Sequence, residues 1–351
     1  MDLQPDCQVS VSAVSGGASV RTPAFLRDLA AVSSWRLCHA LVAATLYVCT
    51  VVDVCAEEGG SGHYLPGSFA SFMDGVAPTE AFIARVNVVH YDGDVSLGRR
   101  LPIAGLVAVN AEAESTAVGL TLFWRPQWGA LSDKWSYGMS MTVPLVDIDV
   151  SADVVTGPVT VRRSDSKSGL GDVILMPLML NYNVDADLNV NMRLSFYAPT
   201  GSYKVGRLAN TGKNFWSLEP TVAVMYFGQK NGIEASLFGG LTINQKNPDT
   251  HYKSGSQFHI DGTLAQHFPF AGGLASAGVT GYYYRQVTGD SGSGATFGDF
   301  RAKTVGVGPA VSYIRKLNNS EFLAELKWLH ETNTQNRLQG DTVFLKAMLK
   351  Y

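Results

Sequence analysis

The sequence predicts an all-β chain: a closed antiparallel transmembrane β-barrel of about twelve strands (range 10–14), preceded by a cleaved signal peptide. Three observations predict it. Apolar and polar residues alternate along most of the chain after residue 80, many alternating runs are about 12 to 16 residues long, and the connections between them are by turns long and short. Alternation alone does not exclude a soluble sandwich, whose strands also show one oily and one wet face. Length does the choosing. Soluble strands average about 5 to 6 residues, whereas a tilted bilayer span needs about 9–11, with the remainder projecting.

Composition agrees. Hydrophobic residues make up 46% of the 351 and charged residues only 16%, against about 25% charged in a typical soluble domain. After residue 56 no uncharged apolar run approaches the roughly 18 residues of a spanning helix, so the chain is oily without being a helical membrane protein. The net charge of −3 gives no reason to expect a nucleic-acid partner. The four cysteines, Cys7, Cys38, Cys49 and Cys55, all precede residue 56. Once that part is removed the chain holds no thiol, which suits passage through an oxidising periplasm and excludes a disulfide framework or a cysteine metal site.

Residues 1–56 read as a leader and signal peptide. Arg27 and Arg36 precede the apolar stretch 37–52, and Val54 and Ala56 occupy the −3 and −1 places before Glu57. A retained anchor helix is the alternative; a lipid anchor on Cys55 is disfavoured by Asp53. Residues 57–79 form an N-terminal segment, either a disordered periplasmic leader, toward which its Gly, Ser and Pro content leans, or a plug inside the barrel. Tyr64, Phe69, Phe72 and Met73 argue for the plug, since disordered tails are poor in aromatics. As a plug it would offer His63 and Tyr64 as polar handles.

Residues 80–351 form the barrel. Its strands are expected at 80–91, 114–125, 135–150, 172–183, 187–199, 215–228, 232–245, 256–268, 273–288, 300–315, 319–333 and 339–351. The last shows the pattern best, with Val343, Leu345, Ala347, Leu349 and Tyr351 on one face and Thr342, Phe344, Lys346, Met348 and Lys350 on the other. Connections after odd-numbered strands are generally long and polar, those after even-numbered strands generally short, as in outer-membrane barrels whose short turns are periplasmic. Two further segments, 103–109 and 154–163, would raise the count to fourteen. Aromatics near strand ends, including Tyr91, Trp124, Trp135, Tyr182, Tyr197, Tyr282, Tyr284 and Trp328, are expected in the interfacial girdles. Gly169, Gly171 and Gly201 are read as turn residues supplying positive φ and tight reversal.

The polar face carries Arg85, Asn87, Asn189, Asn191, Arg193, Glu219, Glu234, His259, Asp261, Glu325, Lys327 and Glu331. They are expected to line the lumen, where they either set selectivity or simply pair with one another. Both signs of charge occur, so a strongly ion-selective pore is not expected. The histidines form no compact zinc motif, and no metal or cofactor is implied. His259 with Asp261 and nearby Ser256 is the one arrangement suggestive of an outer-membrane hydrolase, but side chains two apart share a face in any strand.

Spaced motifs add a resemblance. Ser61-Gly62-His63-Tyr64-Leu65-Pro66-Gly67, Gly169-Leu170-Gly171-Asp172, Ala198-Pro199-Thr200-Gly201-Ser202-Tyr203 with Asn210, Gly212, Asn214 and Trp216, then Gly308-Pro309 and Asn336-Arg337, span most of the mature chain. Together they resemble the SphA-like, or phenol meta-pathway degradation, family of outer-membrane proteins. The resemblance implies a Gram-negative outer-membrane channel for small hydrophobic solutes, aromatic compounds among them. Outer-membrane lipid and the insertion machinery that reads an aromatic-ended final strand are the other expected partners. A filled structural or adhesive barrel and an outer-membrane hydrolase are the competing readings; an enzyme is not expected.

Overall fold

The computed structural model describes residues 58–75, 82–95, 99–297 and 301–350. The predicted leader and signal peptide, and Tyr351, lie outside the described residues. After a 3-10 turn at Glu58–Gly60 and a single helical turn, α1, at Phe72–Gly75, the regular elements among the described residues are all strands except for a 3-10 turn at Gln127–Gly129. The strands are β1 Phe82–Asp94, β2 Arg100–Ile103, β3 Leu106–Trp124, β4 Trp135–Thr156, β5 Val159–Leu170, β6 Val173–Asn183, β7 Leu188–Ala198, β8 Ser217–Phe227, β9 Ile233–Asn244, β10 Gln257–Phe270, β11 Gly273–Gln286, β12 Lys303–Leu317, β13 Ser320–Gln335 and β14 Gln339–Lys350.

The sheet closes on itself. β1 pairs antiparallel with β14 on one side and with β3 on the other, β3 pairs with β4, β4 with β6, and each later strand with the next. Of the 14 strands, β2 and β5 stay out of the ring, which leaves twelve. Closure is what a bilayer demands, because an open edge would leave backbone N–H and C=O groups unpaired in hydrocarbon.

The extra segments 103–109 and 154–163 are not strands in themselves but straddle hairpin turns, at 104–105 between β2 and β3 and at 157–158 between β4 and β5, so neither adds a stave and the ring keeps the expected twelve. β2 folds back on the first residues of β3, and β5 on the outer half of β4, from Leu145↔Leu170 to Thr156↔Val159. Each is half of a hairpin that prolongs a barrel strand beyond the wall, which is why β3 and β4 reach 19 and 22 residues. β5 has one free edge and carries Arg162, Arg163, Ser164, Asp165, Ser166 and Lys167. So polar a strand with an open edge is tolerable only outside the hydrocarbon.

Alternation sorts the wall as lipid requires. Leu264 is 64% exposed, Val279 57% and Leu120 51%, values that would mark defects on a protein in water but are the natural state of a surface facing acyl chains. Their neighbours Thr263, Thr280 and Thr121 are buried on the inner face. At the short-turn end, Phe82 stacks with Trp124, Trp128 with Tyr137, and Trp135 packs against Tyr182, forming part of a girdle.

Four of the aromatics expected in that girdle sit elsewhere. Tyr197, Tyr282 and Tyr284 are buried in the lumen, and Tyr91 turns its hydroxyl to lumenal Glu331 at 3.2 Å. Strand parity is the reason: Tyr282 and Tyr284 share a face with Thr280, not with Val279. Proximity to a strand end places an aromatic at the right height but does not choose its side.

Residues 58–75 run inside the ring. Tyr64, Phe69, Phe72 and Met73 pack with inward-facing Met179, Met225, Phe238, Leu329 and Phe344. Glu58 meets the long connections at Tyr203 and Asn247, whereas α1 packs on β8 at Met225, toward the short-turn end. The segment, hereafter the plug, therefore threads the lumen lengthwise. It has almost no regular structure, so its backbone polar groups need partners from the wall.

Candidate functional site

Wall side chains supply those partners, and they do so with charge. Asp261 Oδ1 accepts from the Gly67 N–H at 2.7 Å, and Glu234 Oε1 accepts from the Phe72 N–H at 2.9 Å. Lys327 Nζ donates to the Gly67 carbonyl at 2.7 Å, Lys346 Nζ to the Ser68 carbonyl at 2.8 Å, and an Arg193 guanidinium N–H to the Asp74 carbonyl at 2.6 Å. Anionic groups meet plug amides and cationic groups meet plug carbonyls. Charge-assisted bonds of this kind are roughly twice as strong as neutral ones, and they hold an irregular segment as a ladder would hold a strand.

Asp74 is the centre of the inner half. Its carboxylate takes Lys346 Nζ at 2.6 Å and Arg85 Nη1 at 3.1 Å, and also accepts from the Ala70 and Ser71 amides ahead of α1. Glu325 lies 3.4 Å from Lys346 and 3.5 Å from Lys327, so one buried chain of ion pairs runs from β1 through the plug to β14 and β13. Further along, Tyr64 stacks on His259 with ring centroids 3.7 Å apart. His259 binds Asp261 and faces Glu219, whose other oxygen accepts from Tyr197 at 3.1 Å and Thr242 at 2.8 Å. Gly240 makes this possible, because a Cβ there would lie 2.2 Å from His259 Nε2.

The outer end is held by a clamp. His63 Nε2 lies 2.9 Å from Asp172 Oδ2 and Nδ1 2.6 Å from Ser217 Oγ, while the ring stacks on Tyr197. Asp172 also accepts from the amides of Gly201 at 2.8 Å and Lys213 at 2.7 Å. A serine, a histidine and an aspartate in line suggest a nucleophile, but Ser217 is buried, with its Oγ held between His63 Nδ1 and Asn244 Oδ1, each 2.6 Å away. The group ties the plug to the wall. Gly201 belongs here as well. Its φ is not positive, so it is no turn residue of the kind expected; a Cβ there would sit 2.6 Å from Gly212 Cα. Gly201→Val is accordingly expected to cost about 1–3 kcal/mol by overpacking, read as an earlier midpoint in heat-driven unfolding of the detergent-solubilised barrel. An unchanged midpoint would disprove the close-approach role.

Burial pushes the His63 imidazole below its ordinary value of about 6.5. Burial raises the Asp172 carboxyl, but His63 and the two amides outweigh it and hold the group below the usual carboxylate range. Both folded values are depressed, so both contributions are fully present above the unfolded values and are lost as pH falls through the folded ones. The histidine responds first: the outer end of the plug is expected to loosen as pH drops below about 6.5, and the aspartate follows only in strong acid. Hydrogen exchange over residues 58–65 at pH 7 and pH 5 measures this. Equal protection at both, or the same difference in His63→Gln, would contradict it.

Most of the polar residues singled out in the sequence converge on the plug. Arg85, Arg193, Glu234, His259, Asp261, Glu325 and Lys327 touch it, and Glu219 stands behind them. Asn191 orients Arg193 through its Oδ1 at 2.9 Å. Asn87 is half-buried on Thr121, and Asn189 half-buried near Asn181. Glu331 stands apart, binding Tyr282 at 2.6 Å and the Gly340 amide. His63 and Tyr64 lie on the plug itself. The hydrolase group suggested by Ser256, His259 and Asp261 does not assemble: Ser256 precedes β10, its amide takes Thr288 Oγ1 as acceptor at 2.7 Å, and His259 is fully enclosed. Sequence reading missed Glu58, Asp74, Asp172, Lys213, Ser217, His267 and Lys346. Lys346 and His267 stand on the polar parity, which is signal enough to include them; Asp74, a lone acid in an apolar stretch, carries the other available signal.

A barrel of this kind has known relatives. The family described as "Putative MetA-pathway of phenol degradation" matches residues 102–347, well over half of the chain. The chain belongs to this family. The match begins at Pro102 in β2 and so takes in eleven of the twelve staves, with the plug and β1 before it. No curated protein matches the chain. Among solved structures, the COG4313 outer membrane channel from Pseudomonas putida F1 superposes with a TM-score of 0.60 at 15% identity, over 82% of this chain and 100% of that one. At that identity it shows the shared fold. The β domain of the Bordetella autotransporter BrkA, at 8% identity over 77% of this chain and 99% of that one, has a TM-score of 0.43. This member of the phenol-degradation family is thus a closed outer-membrane β-barrel, and within the described residues no helix is long and apolar enough to cross a membrane.

Proposed function

We propose that the protein is an outer-membrane uptake channel for small hydrophobic compounds, aromatic ones included, whose lumen is closed at rest by the plug. Solute class is inferred from the outer mouth. There the end of the plug, Glu58–Ser61, faces a cavity of about 80 Å³ whose walls are largely apolar: Leu101, Ile103, Ala113, Val150 and Leu208 among them. An oily pocket where hydrophilic loops meet a charged lumen is the observation that carries the reading. The cavity is smaller than the roughly 150 Å³ that accepts benzene in an apolar site. A ring must therefore displace the plug end or the β2–β3 hairpin, which couples binding to opening. The lumenal residues act as the movable fastening, not as a fixed filter. No chemical step is assigned to the protein, and the alternating final strand serves recognition by the insertion machinery.

Proteoliposomes test this: toluene or phenol should equilibrate faster across vesicles containing the protein than across empty ones, and a deletion strain should grow more slowly on aromatic carbon sources at limiting concentration. Equal rates in both assays would refute uptake. The balanced ion pairs of the lumen favour one competing reading, a permanently filled structural barrel. It predicts no solute flux and no conductance even when the plug is weakened.

A further inference from the structure

A second cavity, of about 80 Å³, opens between the plug and the wall on the inner half of the lumen. Arg85, Arg193, Asn87, Ser140, Thr142 and Phe69 are among its lining. Charge around it does not balance. Arg85, Lys346 and Lys327 share the carboxylates of Asp74 and Glu325. Arg193 is a fourth buried cation, and among the described residues no carboxylate stands within 4.0 Å of it; its bonds go to the Asn191 amide oxygen and the Asp74 carbonyl. Asp261 and Glu219 are taken up by His259, Gly67, Tyr197 and Thr242. Arg85 is only 7% exposed, and its Nε has no partner among the described residues.

Burying an uncompensated charge is costly, and proteins relieve it by pairing. A buried guanidinium edge without a partner, a second guanidinium without a carboxylate, and an empty space bordered by both, with Phe69, Phe123, Ile174 and Met176 forming its apolar remainder, describe a site for an anion. The wall is also shaped there. Pairing of β4 with β6 slips between Gly138 and Ser140, and that of β6 with β7 between Leu175 and Leu178. Bulges re-aim side chains and spread a wall locally, and Ser140, Thr142, Ile174 and Met176, all cavity residues, flank these two.

We propose that this cavity binds a carboxylate anion on Arg85 and Arg193. The guanidinium fork matches a carboxylate's two oxygens, and Ser140 and Thr142 line the same cavity, Thr142 sharing a hydrogen bond with Thr121 at 2.8 Å. The volume accommodates an acetate-sized group, whereas a benzene-sized ring needs about 150 Å³. The carboxylate comes either from a free small acid or from the acid group of an aromatic solute whose ring displaces Phe69. The site is independent of transport, since it exists whether or not the lumen conducts.

Thermal unfolding of the full-length protein in detergent, at pH 7 and constant sodium, tests it. Dextran sulfate, too large to enter, serves as the balancing anion. Acetate, benzoate and phenol are titrated separately. Acetate is expected to raise the midpoint saturably and uncharged phenol to leave this site unaffected. Benzoate matching acetate identifies aromatic acids as occupants; acetate acting alone identifies free small acids. Arg193→Gln should lose the acetate effect. Because that variant also drops a plug bond, Thr142→Asp supplies an independent arm: a carboxylate built into the cavity should raise the midpoint and abolish the acetate response. No acetate effect on the unmodified protein overturns the proposal, as does an acetate effect that survives in both variants, or a Thr142→Asp barrel that is less stable than its parent.

Discussion

Asp74→Ala is expected to unseat the plug and to cost about 3–5 kcal/mol, the usual penalty for removing one partner of a buried ion pair. The loss is large because the carboxylate has several obligations at once. It neutralises Lys346 and Arg85, each nearly enclosed, and caps the turn at Ala70 and Ser71. Removing it leaves two cations buried without it and two amides without an acceptor. The cheapest response is for the plug to withdraw and let water in, since the wall has its own complete ladder. The expected signature is therefore specific: protease sensitivity confined to residues 58–75 with the barrel intact. Asp74→Asn should be intermediate, keeping the cap but not the charge. A plug as protected in Asp74→Ala as in the parent would show that the ion pairs are incidental to its seating.

Deleting residues 58–75 is expected to leave a folded barrel with conductance raised by on the order of tenfold or more, because a ring of twelve lies between eight-stranded barrels that side chains fill and the 16–18-stranded porins that hold water. The wall residues now holding the plug are charged, and once freed they hydrate instead of collapsing inward. Near-balanced signs, with Arg85, Arg193, Lys327 and Lys346 against Glu219, Glu234, Asp261 and Glu325, predict weak ion selectivity in the open form. Planar-bilayer recording of the intact and deleted proteins decides it. Equal conductance would mean the plug is not the obstruction and would favour a filled structural barrel.

The clamp at the outer end explains why the motifs that carry the family resemblance are scattered along the chain. His63, Asp172, Gly201 and Gly212 come from three of them and meet at one point. None is informative alone; their value lies in the contact they make together.

Residue order was enough to establish the number of staves, their boundaries to within a few residues at most ends, and the side on which most wall residues lie. Alternation with period two is a local property, and lipid outside with polar groups inside punishes any slip of register. Three features emerged only once the chain had closed: residues 58–75 enter the ring, β2 and β5 remain outside it, and Tyr197, Tyr282 and Tyr284 face inward, the first two onto acidic partners. The plug's bonds join residues 194, 260 and 272 positions apart. No periodicity encodes such pairings, because they depend on which charged side chains happen to stand at the same height in the finished barrel.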